Sequence, residues 1–250
     1  MIIVSDLDGT LLDHSSYSYA AARPALNELQ RRNIPLILNT SKTRAELADI
    51  LADIGLRTPY IVENGSAIYS ADHDLISTLG ASRTALISVL AAARQAGFSF
   101  TAYSDMNTSD LVEHTGLTQI QAEQSLQREY TEPLLWRDSE QALESFRHFV
   151  QAQNLQCVQG GRFLHIMGNC DKGMAMRELI QRCYPHTSGP VVALGDSEND
   201  RAMLEQADIA VVVRSARHEP LKISGQGRVI ITEATGPQGW CDAILAILAG

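Results

Sequence analysis

Apolar positions along the chain follow two different rhythms. Residues 2–4 form a short unbroken apolar run, the pattern of a strand buried on both faces. Pro24 suits a first helical turn, and Leu26 and Leu29 with their flanking alanines give the segment that follows an apolar helical face. Residues 34–38 are a second apolar run. Thr43-Arg44-Ala45-Glu46 is a capping-box pattern, and Leu47, Ile50, Leu51 and Ile54 lie on one face of the helix it opens, until Gly55 stops it. Residues 60–62 make a third short strand. Strand, helix, strand, helix, strand predicts a parallel sheet with helices on its faces. The same rhythm returns late in the chain, with a helix from about Asp171, strands at 191–194, 209–213 and 229–231, and a closing helix over 238–248.

The middle of the chain reads differently. From about 81 to 168, strand candidates at 98–103, 134–136, 157–159 and 163–166 alternate with helical stretches at 84–96, 118–128 and 139–152. This pattern suits an antiparallel sheet. The predicted architecture is an α/β fold with a Rossmann-like parallel-sheet core, residues 1–80 and 169–250, carrying helices on both faces. A smaller α+β cap over 81–168 is inserted into that core.

Composition narrows the function without choosing it. The 250 residues are 45% hydrophobic and 20% charged, which suits a globular protein with a core of useful size. A net charge of −9 argues against nucleic acid or an anionic membrane as partner, because their phosphates would repel it. A small anionic substrate stays open, since local cations or a metal reverse the sign inside a cleft. The N-terminal apolar run stops at Val4 with no basic segment before it, so no signal peptide is expected. No apolar stretch approaches the ~20 residues needed to cross a bilayer. Cys157, Cys170, Cys183 and Cys241 form no C-x-x-C pair, which reads as free thiols in the cytoplasm.

Four polar clusters stand at predicted carboxyl ends of strands or at a helix start, where open α/β sheets bind ligands. The first is Asp6-Leu7-Asp8-Gly9-Thr10. A turn at Asp8-Gly9 explains one aspartate but not its neighbour, whose repulsion a divalent cation or a shared proton would remove. The second is Asn39-Thr40-Ser41-Lys42-Thr43. The third is Asp171-Lys172-Gly173, where Asp171 reads as an N-cap and Lys172 opposes the helix dipole unless an anion binds there. The fourth is Gly195-Asp196-Ser197-Glu198-Asn199-Asp200. A capping box explains Ser197 and Asp200 but leaves Asp196 unexplained. Serine-hydrolase chemistry at Ser197 is disfavoured, because the final glycine of a G-x-S-x-G elbow is missing.

In this order the clusters resemble the four motifs of the haloacid dehalogenase superfamily of aspartate-nucleophile phosphatases. The resemblance implies Asp6 as nucleophile, Asp8 as general acid and base, and Thr40 and Lys172 as phosphate ligands. It also implies Mg²⁺ as cofactor, held by the Asp6 carboxylate, the Asp8 main-chain carbonyl and Asp196, with Asn199 or Asp200 orienting the shell. A narrower resemblance to the mannosyl-3-phosphoglycerate phosphatase group rests on Thr40-Ser41-Lys42-Thr43, Glu63-Asn64-Gly65, the cap segment Gly160-Gly161-Arg162-Phe163-Leu164-His165 and Gly236-Pro237-Gln238-Gly239-Trp240. That group implies a small phosphorylated sugar–glycerate substrate. Arg162 and His165 are the expected contacts from the cap, and Ser41, Lys42, Glu63, Asn64 and Gly65 those from the core. Other sugar phosphates such as glucosyl-3-phosphoglycerate, phosphotransfer, and a non-hydrolytic phosphometabolite binder remain open, as does the oligomeric state.

Overall fold

A computed structural model describes residues 1–160, 163–225 and 227–250. The chain runs β1 (Ile2–Ser5), α1 (Arg23–Arg31), β2 (Leu36–Leu38), α2 (Arg44–Ile54), β3 (Tyr60–Val62), β4 (Ala67–Tyr69) and β5 (Leu75–Thr78). It continues with α3 (Arg83–Gln95), β6 (Phe100–Ala102), α4 (Thr108–Thr115), α5 (Gln119–Leu126), β7 (Thr131–Trp136), α6 (Glu140–Gln151), β8 (Leu155–Gln159) and β9 (Leu164–Gly168). It ends with α7 (Lys172–Cys183), β10 (Val191–Gly195), α8 (Arg201–Glu205), β11 (Ile209–Arg214), β12 (Arg228–Thr235) and α9 (Gly236–Ala249).

Five strands form one parallel sheet in the order β12-β11-β10-β1-β2. Successive side chains of a strand point to opposite faces, and β1 shows the consequence. Ile3 joins an apolar layer with Leu29 of α1, Leu47 and Leu51 of α2 and Trp240 and Ile244 of α9. Ile2 and Val4 join the opposite layer, with Ala175, Met176 and Leu179 of α7 and Met203 and Leu204 of α8. The predicted α/β sheet with helices on both faces is therefore what the chain forms. α2 starts as its sequence indicates: the Thr43 hydroxyl accepts from the Glu46 amide, and the Glu46 carboxylate accepts from the Thr43 amide. Gly55, with φ of 79°, closes the helix in the left-handed region.

One expectation is corrected. Residues 60–62 do form a strand, but β3 is not part of the parallel sheet. It pairs antiparallel with β4, which pairs with β5, in a separate three-stranded sheet. A lone parallel bridge, Asn39 to Ile61, joins β3 to the chain just beyond β2. A three-residue apolar run carries no information on strand direction, and the hairpin over β4 and β5 supplies the partner that decides it.

The middle of the chain forms a four-stranded antiparallel sheet in the order β6-β7-β9-β8. Leu86 and Leu90 of α3 and Phe146 and Val150 of α6 cover one of its faces, with Phe100, Leu134 and Ile166 beneath them. A smaller apolar cluster holds Leu111 of α4, Ala122 of α5, Tyr103, Met106 and Phe163. α4 was not anticipated from the sequence, since its eight residues carry too few apolar positions to set a period. Its signals lie at its ends, where Asn107 and Asp110 cap each other and Gly116 stops the helix. Among the described residues no helix is long and apolar enough to cross a membrane.

Candidate active site

The carboxyl edge of the parallel sheet gathers the four clusters. β1 delivers Asp6, whose amide donates to the Leu194 carbonyl of neighbouring β10 at 2.9 Å. Its carbonyl accepts from the Ser5 hydroxyl at 2.7 Å, and that hydroxyl accepts from the Trp240 indole at 2.9 Å. A fully buried tryptophan of α9 thus fixes the backbone on which Asp6 stands. The chain then turns sharply, with the Gly9 amide donating to the Leu12 carbonyl. Gly9 has φ of 84°, and a Cβ there would lie 2.8 Å from Asp196 Oδ2 and 2.6 Å from His14 Nε2. Only glycine suits both the conformation and the space.

Lys172 is the first residue of α7, and Asp171 caps that helix by accepting from the Met174 amide at 2.7 Å. Its fully buried ammonium donates to Asp6 Oδ1 at 2.5 Å and to Asp200 Oδ1 at 2.7 Å. Asn39 holds its backbone, donating to the Lys172 carbonyl at 2.9 Å. Gly65 lies against the same helix start: with φ of 92°, it would carry a Cβ only 2.2 Å from the Asp171 carbonyl oxygen. Asp196 extends from β10 and accepts from the Thr10 hydroxyl at 3.2 Å. Asp200 Oδ2 accepts from the Asp196 and Ser197 amides at 3.0 Å each.

These placements concentrate negative charge. One ligand oxygen each from Asp6, Asp196 and Asp200 lie within 4.8 Å of one another, and all three residues are buried. Burial pushes the Asp6 carboxyl well above the usual carboxylate range, with Asp200 adding to the effect and Lys172 opposing it. Burial likewise raises Asp200 against the pull of Lys172. For Lys172, burial alone would lower the ammonium, but Asp200 and Asp6 outweigh it and hold the group above the usual lysine range. A single ammonium does not balance three carboxylates. Asp196 Oδ2 is moreover buried with no hydrogen-bond partner, a costly condition that a hard cation would relieve.

The remaining expected residues fall into distinct places. Asp8 Oδ2 lies 3.0 Å from the Lys42 ammonium, and Asp8 Oδ1 is buried without a partner. Burial works against the Lys42 charge, but Asp8 and then Glu46 hold it above the usual lysine range. Thr40 is fully buried, and its hydroxyl accepts from the Lys42 amide at 3.1 Å. The Ser41 carbonyl accepts from Arg128 at 3.2 Å. Asn199 accepts from the Ser197 hydroxyl and donates to the Asn64 side chain at 3.0 Å. The Glu63 carboxylate is taken up by the Glu129 amide, the Tyr130 amide and the Thr131 hydroxyl, so it clamps the segment between α5 and β7. His165 lies on β9, half-buried, with Nδ1 sealed from water and unpartnered. Burial, reinforced by Arg128, pushes this imidazole down to about 3. Arg162 lies outside the described residues.

Asn39 and Trp240, both inside segments the sequence singles out, prove to be positioning residues, Asn39 on the Lys172 carbonyl and Trp240 on the Ser5 hydroxyl. Ser5, His14 and His218 had no visible signal. His14 and His218 each bring Nε2 to 3.6 Å from Asp196 Oδ2, from two loops with no sequence pattern in common.

A family model described as haloacid dehalogenase-like hydrolase matches residues 3–225. A glucosyl-3-phosphoglycerate/mannosyl-3-phosphoglycerate phosphatase of Methanococcoides burtonii is 37% identical over 265 residues, spanning 99% of this chain and 97% of that protein. A phosphatase of the same description from Persephonella marina is 31% identical over 267 residues, spanning 99% of this chain and 97% of its own length. Among solved structures, the sucrose-phosphatase of Synechocystis in complex with sucrose and phosphate superposes with a TM-score of 0.66 at 16% identity, covering 98% of this chain and 97% of that one. At that identity the likeness concerns the fold.

Proposed function

The chain belongs to the haloacid dehalogenase-like hydrolases, and from that premise we propose that it is a phosphoric monoester hydrolase acting on mannosyl- and glucosyl-3-phosphoglycerate. The chemistry rests on one observation above all: carboxylates of Asp6, Asp196 and Asp200 lie together, buried, with the Lys172 ammonium on two of them. The substrate follows from the two relatives that match this chain from end to end.

In the reaction, a carboxylate oxygen of Asp6 attacks phosphorus and forms an aspartyl phosphate as the bond from phosphorus to the glycerate oxygen breaks. The Asp8 carboxyl gives its proton to the departing alkoxide. Asp8, now a carboxylate, takes a proton from water as the water oxygen attacks phosphorus, and release of the Asp6 carboxylate yields inorganic phosphate. Splitting the hydrolysis in this way replaces one difficult displacement by two easier ones. Lys172 anchors Asp6 and offsets phosphoryl charge, and the Thr40 hydroxyl keeps its own proton to donate to a phosphoryl oxygen.

The acidic cluster fits Mg²⁺, a cation that takes oxygen ligands in octahedral geometry. Asp6, Asp196 and the Asp8 carbonyl would hold it, while Asp200 and Asn199 orient the surrounding groups. Bound there, it supplies charge that the single Lys172 ammonium does not. We also assign residues 1–80 and 169–250 to the catalytic core and 81–168 to a cap. The two crossings are adjacent, since a Cβ on Gly168 would lie 2.6 Å from the Ala81 nitrogen.

The test is release of inorganic phosphate from mannosyl- and glucosyl-3-phosphoglycerate, with Mg²⁺ and after chelation. Turnover of both substrates that chelation stops supports the proposal. Asp6→Asn should lower the rate by more than about a thousandfold. Near-normal turnover in that variant, or tight binding without release, would favour a non-catalytic binder.

A further inference from the structure

A cavity of about 380 Å³ opens beside the phosphoryl site, between α2, α5 and the loop that follows Gly9. That volume lies within the usual range of small-molecule sites, roughly 300–1,000 Å³. Lys42 is part of its wall and also touches Asp8. In the proposed reaction Asp8 protonates the leaving oxygen, so the body of the leaving group must extend from Asp8 in some direction. Lys42 joins this cavity wall to Asp8.

Its lining says which part of the substrate belongs there. Leu12, Ile50 and Ile120 give apolar walls, whereas Glu46, Asp49 and Asp53 supply carboxylate acceptors. Three carboxylates, Glu46, Asp49 and Asp53, against the one Lys42 ammonium repel a phosphate or a glycerate carboxylate. A neutral polyol is suited, because its hydroxyls donate to carboxylates while its carbon face packs on apolar groups.

A second observation comes from the backbone. Tyr17 has φ of 54°, in the left-handed region that bulky residues rarely enter. Its loop is built to hold that conformation. Asp13 Oδ1 accepts from the Ser15 amide, the Ser16 amide and the Ser16 hydroxyl at 3.0, 2.8 and 2.9 Å. The Tyr17 amide donates to the Asp13 carbonyl, and the Asp13 amide to the Ser18 carbonyl. The result is an aromatic ring, 41% exposed, whose centroid lies 5.2 Å from the Lys42 ammonium at the cavity wall. Backbone strain kept in place by surrounding bonds marks functional positions.

We propose that this cavity is the hexosyl subsite and that Tyr17 is its specificity-determining platform. The sugar packs against Tyr17 and Ile120, and its hydroxyls donate to Glu46 and Asp49 and accept from the Gln121 amide nitrogen. This assignment rests on the glycosyl-3-phosphoglycerate reading above. It adds that the neutral sugar, and not an anionic end of the substrate, lies beneath α5.

Two variants test it, Tyr17→Ala and Ile120→Trp. Both positions are partly open to solvent, Ile120 at 67%, so the fold should survive both substitutions. The first readout is the dissociation constant of mannosylglycerate, the phosphate-free product, measured by titration calorimetry. The second is the ratio of kcat/KM for mannosyl-3-phosphoglycerate to that for 3-phosphoglycerate, which lacks the sugar. We expect both variants to weaken mannosylglycerate at least tenfold and to lower the ratio by a similar factor, mostly through KM. Unchanged affinity in both variants, or no mannosylglycerate binding by the wild type, would overturn the subsite. Binding of mannosylglycerate without phosphate release from the phosphorylated substrate would instead refute the hydrolase reading and leave the subsite standing.

Discussion

The carboxyl edge of the parallel sheet and the cavity beneath α5 are neighbours built on opposite principles. At the sheet edge, Lys172, Asp6 and Asp200 are sealed from water and tied to one another at 2.5 and 2.7 Å. Each is carried by, or placed just beyond, a strand or helix end, and each neighbouring backbone group is itself held. In the cavity wall, Lys42 and Tyr17 come from loops, retain some solvent exposure and are aimed by local hydrogen bonds. A phosphoryl group is common to many substrates and demands fixed charge in a dry site, where electrostatic interactions are strong. A sugar is discriminated by shape and hydroxyl pattern, which loops and a single helix face supply.

Replacing the two lysines separates the regions most strongly. Lys172→Met should lower kcat by about a thousandfold, the scale of losing one preorganised charged donor. It also leaves Asp6 and Asp200 without a cation, at a stability cost of about 3–5 kcal/mol. Lys42→Met should cost only about ten- to a hundredfold, the scale of one charge-assisted hydrogen bond in a half-open site. Steady-state kinetics with a denaturation curve for each variant checks both, and equal losses would erase the contrast.

Cation binding is the next effect in size. Saturating Mg²⁺ should raise the Tm of the wild type, by the equivalent of about 2.7 kcal/mol at a hundredfold excess over Kd. Asp196→Asn should lose most of that shift while keeping its fold. A shift that survives the substitution would place the cation elsewhere.

A stability effect in the cap tests the comparison from outside both regions. His165 is held neutral, with its imidazole pushed down to about 3 by burial and by Arg128. The unfolded chain binds a proton there below its ordinary value near 6.5, and the folded chain does not. Its contribution is therefore complete above pH 6.5 and is lost as pH falls toward 3. His165→Gln should flatten the decline of Tm between pH 6.5 and 4 relative to the wild type. Parallel profiles would count against a buried neutral histidine.

The two regions were also unequally legible in the sequence. Asp6, Lys172 and Asp196 stand out because each breaks a local rule: a second charge at a strand end, a cation at a helix start, a carboxylate with no cap to make. The parallel sheet and the antiparallel inserted sheet likewise follow from apolar rhythm. What the sequence hid depends on distance in space. Glu63, expected among the substrate contacts, spends its carboxylate on the amides of Glu129 and Tyr130, more than sixty positions away. Tyr17 carries no sequence signal, because its backbone conformation is imposed by Asp13 and leaves no trace in composition. The direction of β3 is hidden for the same reason: three apolar residues do not specify a partner.

The central claim is that Asp6 becomes covalently phosphorylated during turnover. Enzyme mixed with mannosyl-3-phosphoglycerate and Mg²⁺, quenched rapidly and reduced with borohydride, converts an aspartyl phosphate to homoserine, which peptide mass spectrometry locates. Homoserine at position 6, formed with substrate and absent without it, is the predicted result. An unmodified Asp6 under conditions of full turnover, or homoserine at another aspartate, would contradict the account.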